Sequence, residues 1–273
     1  MKKNSGSVSF FYGTAFGRFI LKTLFMVLRL DRLAVKFLWS RFSRPMVKRF
    51  VKKNGIDLTD EEIKSFRSYR ELFIRVREDV PMDMEKGHLI SPCDGWLSAF
   101  PIDEESRFAI KGSLYGISDF LKDEKLAKNY LGGLCLVFRL CASDYHHYCY
   151  IDNGKQGENH PIPGKLHSVQ PIACEKYPVF VLNKRSWCVL DTENFCPVVQ
   201  CEIGALIVGG IVNHKENEAF KKGEEKGRFE LSGSTIVLLL EKDRVELKPE
   251  ILKELEDAEE VRVLHGAWVA SAI

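Results

Sequence analysis

The stretch Gly233-Ser234-Thr235, followed at once by Ile236-Val237-Leu238-Leu239-Leu240, constrains the chain more than any other. Five consecutive apolar residues after a glycine read as a buried strand. Such a strand needs a core around it, and 273 residues at 45% apolar composition can supply one, as one domain or a domain plus an appendage. Gly233 has access to backbone angles closed to other residues, so it can be held in a strained turn. Ser234 then presents a hydroxyl beside the Gly233 carbonyl on a rigid support. A nucleophile aimed at its own upstream peptide bond is the arrangement that self-cleavage needs. The same three residues are also ordinary turn chemistry, and turns far outnumber self-processing sites.

Net charge is +2, which hides an asymmetry. Residues 1–53 carry seven Lys and six Arg against one acid, Asp31, so 13 − 1 gives +12; the remainder carries 27 − 37, or −10. A basic segment on an acidic body points to an anionic surface as partner. Residues 13–53 read as helical, with Phe16, Phe19, Ile20, Leu24, Val27, Leu28 and Leu30 on a broad apolar face interrupted by Arg18, Lys22, Arg29 and Arg32. The longest uncharged run, Thr23 to Leu28, falls far short of the roughly 18–20 residues that span a bilayer. Basic residues beside Phe, Leu and Trp39 suit helices lying in a membrane interface, on its cytoplasmic face. A helix packed on the protein's own core is the competing reading. A nucleic-acid-binding arm is a third, without a groove-reading motif to support it, so no nucleic acid is expected. No signal peptide is expected either.

Asn54-Gly55 reads as a helix end and Asp57 to Glu62 as the start of another. From Gly87 the texture changes to short β-like runs: Leu89-Ile90, Trp96 to Phe100, Phe108 to Ile110, Leu134 to Leu140, Trp187 to Leu190, Val198 to Glu202, Ala205 to Val212 and Thr235 to Glu241. Ile117 to Leu131 reads as one helix. The expected fold is α+β, with helices over 1–86 on a β-rich body over 87–273. The eight cysteines show no C-x-x-C pair and no ligand-spaced cluster, so they read as buried thiols and no metal is expected.

Further motifs surround the Gly-Ser-Thr core. They are Ser91-Pro92-Cys93-Asp94-Gly95, Asp144-Tyr145-His146, Pro163-Gly164-Lys165-Leu166-His167-Ser168-Val169, Glu202-Ile203-Gly204-Ala205 and Lys222-Gly223-Glu224-Glu225 leading to Phe229. In this order and spacing they resemble phosphatidylserine decarboxylases, from about Phe11 to about Lys242.

That resemblance implies a self-processing enzyme. Ser234 would attack the Gly233 carbonyl, splitting the chain into β (1–233) and α (234–273) parts and leaving a covalent pyruvoyl group as cofactor. The pyruvoyl carbonyl would form a Schiff base with phosphatidylserine and act as the electron sink for decarboxylation to phosphatidylethanolamine. Asp94 matches the acid of the family's charge-relay triad, and His146 the first histidine of its Asp-Tyr-His-x-x-His pattern, which serves decarboxylation. The second histidine, the triad base, is Cys149 here, and a thiol is a poor base near neutral pH unless its pKa is lowered. His167, where the family commonly has an apolar residue, is the candidate replacement. The implied partners are phosphatidylserine, an anionic membrane surface and the two self-derived chains; a homodimer is left open. The alternatives are an unprocessed relative that only binds anionic lipid, and a pyruvoyl enzyme for a soluble amino acid.

Overall fold

The computed structural model describes residues 6–20, 23, 30–103, 107–110, 113–165, 167–169, 171–174, 178–205, 210–231 and 234–273. Six short helices come first: α1 (Gly6–Gly13), α2 (Ala15–Ile20), α3 (Leu30–Trp39), α4 (Arg44–Asn54), α5 (Asp60–Ser65) and α6 (Tyr69–Phe73). Their ends are set locally. Gly55 takes φ +62° and returns its N–H to the Val51 carbonyl, closing α4. Thr59 and Glu62 form a capping box on α5. Val47, Val51, Ile63 and Leu72 bury a small core among α4 to α6. Helix α1 instead docks on the main body: Tyr12 is buried and its hydroxyl accepts from the Ser168 N–H at 2.8 Å. Helix α1, which ends where the 13–53 stretch begins, is thus packed on the protein's own body. Phe10, Phe16, Phe19, Leu33, Phe37, Trp39 and Phe42 stay exposed.

The rest is β-rich, as expected. In chain order come β1 (His88–Ile90), β2 (Gly95–Pro101), β3 (Arg107–Ile110), β4 (Ser113–Gly116), β5 (Leu134–Leu140), β6 (His147–Cys149), β7 (Gly154–Gln156), β8 (His160–Ile162) and β9 (Arg185–Thr192). They are followed by β10 (Cys196–Ile203), β11 (Gly210–Asn213), β12 (Ala219–Phe220), β13 (Glu225–Glu230), β14 (Ser234–Leu240), β15 (Val245–Leu247), β16 (Val261–Val263) and β17 (Trp268–Ala272). Nine strands form one sheet, in the order β12-β7-β9-β10-β14-β5-β2-β16, with β8 also on β9; every pairing in it is antiparallel. Strand β14 lies inside it, and all seven of its residues are buried.

Burial on both faces follows from what covers them. Val237 and Leu239 face a core with Tyr12, Tyr115, Phe120 and Phe180. Ile236, Leu238 and Leu240 face a second core with Tyr148, Phe229, Leu89 and Val269, contributed by the smaller sheets β11-β13-β6 and β1-β17-β15. At roughly 1.5–3 kcal/mol per fully buried aliphatic side chain, β14 is a main contributor to the stability of the body.

Two expectations are corrected. Ile117–Leu131 is not one helix: Lys122 turns left-handed at φ 58° after Ile117–Leu121, and the Asp123 side chain then caps a new helix, Glu124–Ala127, before a 3-10 turn, Lys128–Tyr130. A capping carboxylate beside a chain reversal stops a helix whatever its periodicity. In the expected strand Ala205 to Val212, Ala205 is irregular, 206–209 lie outside the described residues, and the strand runs over Gly210–Asn213. Cys93, Cys135, Cys149, Cys188 and Cys201 are buried free thiols, as read from the sequence. Among the described residues no cluster could hold a metal ion and no helix is long and apolar enough to cross a membrane.

Candidate active site

Ser234 opens β14 at one end of the large sheet. It pairs with Leu140 on β5; in the next row Thr235 pairs with Arg139, Arg139 with Trp96 on β2, and Trp96 with Arg262 on β16. Adjacent strands lie about 4.8 Å apart, so this row brings the turn containing Asp94 to within about two strand spacings of Ser234. The segments that leave these strands, Asp144–His147 after β5 and Leu264–Ala267 after β16, gather at the same end.

Ser234 is fully buried and among the described residues its Oγ has no hydrogen-bond partner; the same is true of Thr235 Oγ1. Such orphaned hydroxyls cost on the order of 1–3 kcal/mol each, and in a native protein they mark a site where another group is to sit or react. Gly233 and Ser232 lie outside the described residues, so the predicted scissile bond does too. Backbone strain is visible just upstream: buried Leu231 sits at φ 67°, where a branched side chain is disfavoured by about 1–2 kcal/mol. The approach is fixed from outside by Glu230, which accepts from Arg70 at 2.5 Å, while the Arg70 guanidinium covers the Trp39 ring at 4.6 Å. The N-terminal helices thus brace the strand that leads into Ser234.

Asp94 is buried, and both its oxygens are engaged. Oδ2 pairs with Arg77 Nη1 at 2.8 Å and Oδ1 accepts the His265 backbone N–H at 2.9 Å. The whole Ser91–Asp94 turn is clamped to Leu264–Ala267: Gly266 N–H donates to the Ser91 carbonyl at 2.9 Å and Ser91 N–H to the Ala267 carbonyl at 2.7 Å. Gly266 has φ +80°, and a Cβ there would meet the Pro81 carbonyl oxygen at 2.7 Å, so this turn requires glycine.

His146 is fully buried, its ring 4.0 Å from that of Phe73. Its Nδ1 lies 2.9 Å from the Asp144 carbonyl, which fixes the proton on Nδ1 and leaves Nε2 as an unpartnered acceptor. Burial pushes its pKa down to about 3, against the hydrogen bond to Asp144, so at neutral pH the ring is uncharged. His147 Nε2 donates to the Ile74 carbonyl at 3.1 Å, with Nδ1 3.1 Å from Glu225 Oε1. Burial raises the Glu225 carboxyl, and hydrogen bonds with His214 and His147 more than reverse this, leaving it below the usual value.

His167 is tied to the β10 end of the sheet through Asn183. Its N–H donates to Asn183 Oδ1, and Asn183 Nδ2 donates in turn to the carbonyls of His167 and Gly204. Gly204 follows Ile203, the partner of Thr235. Burial, then Lys165, lowers the His167 pKa to about 4. Cys149 lies behind the Asp94 turn; its N–H donates to the Pro92 carbonyl and its Sγ to that of Ser91, 3.8 Å away. Burial raises its thiol pKa strongly, so it is a buried thiol and not a base.

Arg77 and His265 are the members of this cluster that the sequence did not mark. Arg77 sits in a short charged run typical of a solvated face, and His265 stands 171 positions from the aspartate it touches. The smaller sheet adds a fully buried ion pair, Lys226 Nζ to Glu202 Oε1 at 2.8 Å, with Asn213 and Gln200 completing its hydrogen bonds.

The family model for phosphatidylserine decarboxylase matches residues 69–263, which span the cluster from Arg77 to Ser234 and end just before His265. The chain belongs to the phosphatidylserine decarboxylase family. It is 38% identical over 264 residues to phosphatidylserine decarboxylase proenzyme 2 of Clostridium acetobutylicum, covering 96% of this chain and 90% of that one. A phosphatidylserine decarboxylase proenzyme of Ruminiclostridium cellulolyticum is likewise 38% identical over 269 residues, with the same coverage of both chains. The family assignment makes this chain an enzyme of the decarboxylase class.

Proposed function

We propose that this protein cuts itself between Gly233 and Ser234 and then decarboxylates phosphatidylserine to phosphatidylethanolamine. The observation that carries the reading is Ser234: a fully buried hydroxyl without a partner among the described residues, at the head of a strand buried along its whole length, at the sheet end where the Asp94 turn lies. The orphaned Oγ fits a residue that is consumed to make a pyruvoyl group. Once formed, that group supplies an electron-withdrawing carbonyl conjugated to the bond that breaks.

The chain's own residues take the remaining tasks. An uncharged imidazole accepts the Ser234 proton, with Asp94 stabilising the cation that results. His167, tied through Asn183 to the β10 end next to Thr235, is the candidate base from sequence. His146 Nε2, dry and unpartnered, is suited to return a proton to the decarboxylated carbon. Arg77 places a cation at the edge of this cluster, where an anionic headgroup would arrive.

The basic, aromatic N-terminal helices supply contact with an anionic membrane surface on its cytoplasmic side. Each Lys or Arg near such a surface contributes on the order of 1 kcal/mol. Phe16, Phe19, Trp39 and Phe42, all at least half exposed, add apolar area. The second reading, an unprocessed lipid-binding relative, is favoured by one observation: a buried, hydrogen-bonded Cys149 where the family has its triad histidine.

Intact mass under denaturing conditions separates the two readings. Wild type should give fragments 1–233 and 234–273, the smaller one ketone-reactive, and Ser234→Ala should stay whole. A folded wild type of full mass refutes self-processing.

A further inference from the structure

We propose that His265 is the imidazole that works with Asp94 in the self-processing of Ser234, taking the place left by Cys149. This rests on the self-cleaving reading above and names the base in it. His265 is buried, and among the described residues neither Nδ1 nor Nε2 has a hydrogen-bond partner. A buried imidazole with both nitrogens idle is uncommon, because each idle nitrogen forfeits the hydrogen bond it had in water.

Its position is not accidental to the chain's slack. Three backbone hydrogen bonds clamp residues 265–267 against Ser91 and Asp94, and one of them is the His265 N–H itself on Asp94 Oδ1. On the ring side it faces Tyr145, 5.7 Å away and near-parallel; Tyr145 stacks in turn on His147 at 4.8 Å. Arg77 lies over Tyr145 at 5.3 Å. The charged groups acting on the ring are Asp94 and Glu225, which favour its protonated form, and Arg77 and His147, which oppose it. Val263 pairs with Gly95, the residue after Asp94, and its side chain enters the same core as Leu140, the partner of Ser234. His265, two residues further on, lies in the turn that closes on Asp94.

The step balances without an outside reagent until its last stage. The Ser234 Oγ proton passes to the imidazole, and Oγ bonds to the Gly233 carbonyl carbon. The Gly233–Ser234 C–N bond then breaks, and the imidazolium returns the proton to the freed amine, giving an ester. The imidazole, neutral again, takes the Ser234 α-proton as the Gly233 carboxylate leaves, giving dehydroalanine and an imidazolium that releases its proton to water; water then hydrolyses the dehydroalanine to ammonia and the pyruvoyl group.

The test is the time course of cleavage in freshly refolded full-length chain, followed by intact mass. His265→Ala and His265→Gln should each slow cleavage by at least 100-fold at a melting temperature close to that of Ser234→Ala. Added imidazole should restore His265→Ala, which leaves room for it, and not His265→Gln. Cleavage of either variant at the wild-type rate, or rescue by imidazole of His146→Ala or His167→Ala but not of His265→Ala, overturns the assignment while leaving self-processing intact. A wild type that never cleaves overturns both.

Discussion

Replacing Lys226 by Met in a Ser234→Ala background, which keeps a single chain, tests what holds the strand leading into the site. Both members of the Lys226–Glu202 pair are fully buried, 2.8 Å apart. Burial pulls the lysine's pKa down, and Cys188 and Glu202 beside it more than reverse this, holding it above the ordinary value. The lysine also donates to Asn213 Oδ1 at 3.1 Å and lies 5.7 Å from the Tyr148 ring centroid. In Lys226→Met the Glu202 carboxylate keeps amide donors from Gln200 and Asn213 and loses its counter-charge. Stranding one charge of a buried pair costs about 3–5 kcal/mol. For a chain of this size that is a fall in melting temperature of roughly 6–20 °C. Adding Glu202→Gln removes the stranded charge and should bring the protein back to within about 2 kcal/mol of its parent. Urea and thermal unfolding of the three proteins supply the measurement. A loss below about 1 kcal/mol in the single variant, or a double variant no more stable than the single, would refute the reasoning.

Asp94→Asn removes the partner of Arg77 and the charge near His265, and should slow self-cleavage by at least 100-fold in the mass assay, with the chain still folded. His146→Ala should separate the two activities: chains 1–233 and 234–273 still form, and release of carbon dioxide from phosphatidylserine is lost. The Ser234→Ala protein should lose stability as pH falls from about 6.5 toward 4. His146 and His265 have folded pKa values depressed to about 3 and about 4 by burial, so the unfolded chain takes up protons first; above pH 7 neither contributes. A melting temperature that is flat between pH 7 and 4.5, or a slope unchanged in His265→Gln, would contradict this. Changing Phe16, Phe19, Trp39 and Phe42 to Ser should weaken sedimentation with anionic vesicles at least tenfold, and added salt should weaken what remains; unchanged binding would remove the N-terminal helices from the membrane contact.

What the sequence determined by itself was local. Five apolar residues in a row required a strand covered on both faces, and β14 is that strand. Asn54-Gly55 stopped a helix because glycine reaches φ +62°, and Thr59 with Glu62 started the next because their side chains bond its first N–H groups. The Gly-Ser-Thr and Ser-Pro-Cys-Asp-Gly motifs could be picked out because each lies within a few residues. The break at Lys122 could not be read from periodicity, since the pattern of apolar residues continues through a left-handed residue. Still less could the sequence show that His265 lies against Asp94, or that Lys226 and Glu202 are paired in a dry interior. Those contacts exist because β16 pairs with β2 and because β6, β11 and β13 close over one face of the large sheet. Strand pairing of this kind joins residues far apart in the chain through backbone hydrogen bonds that every residue can make, so no local pattern of side chains announces which strands will meet.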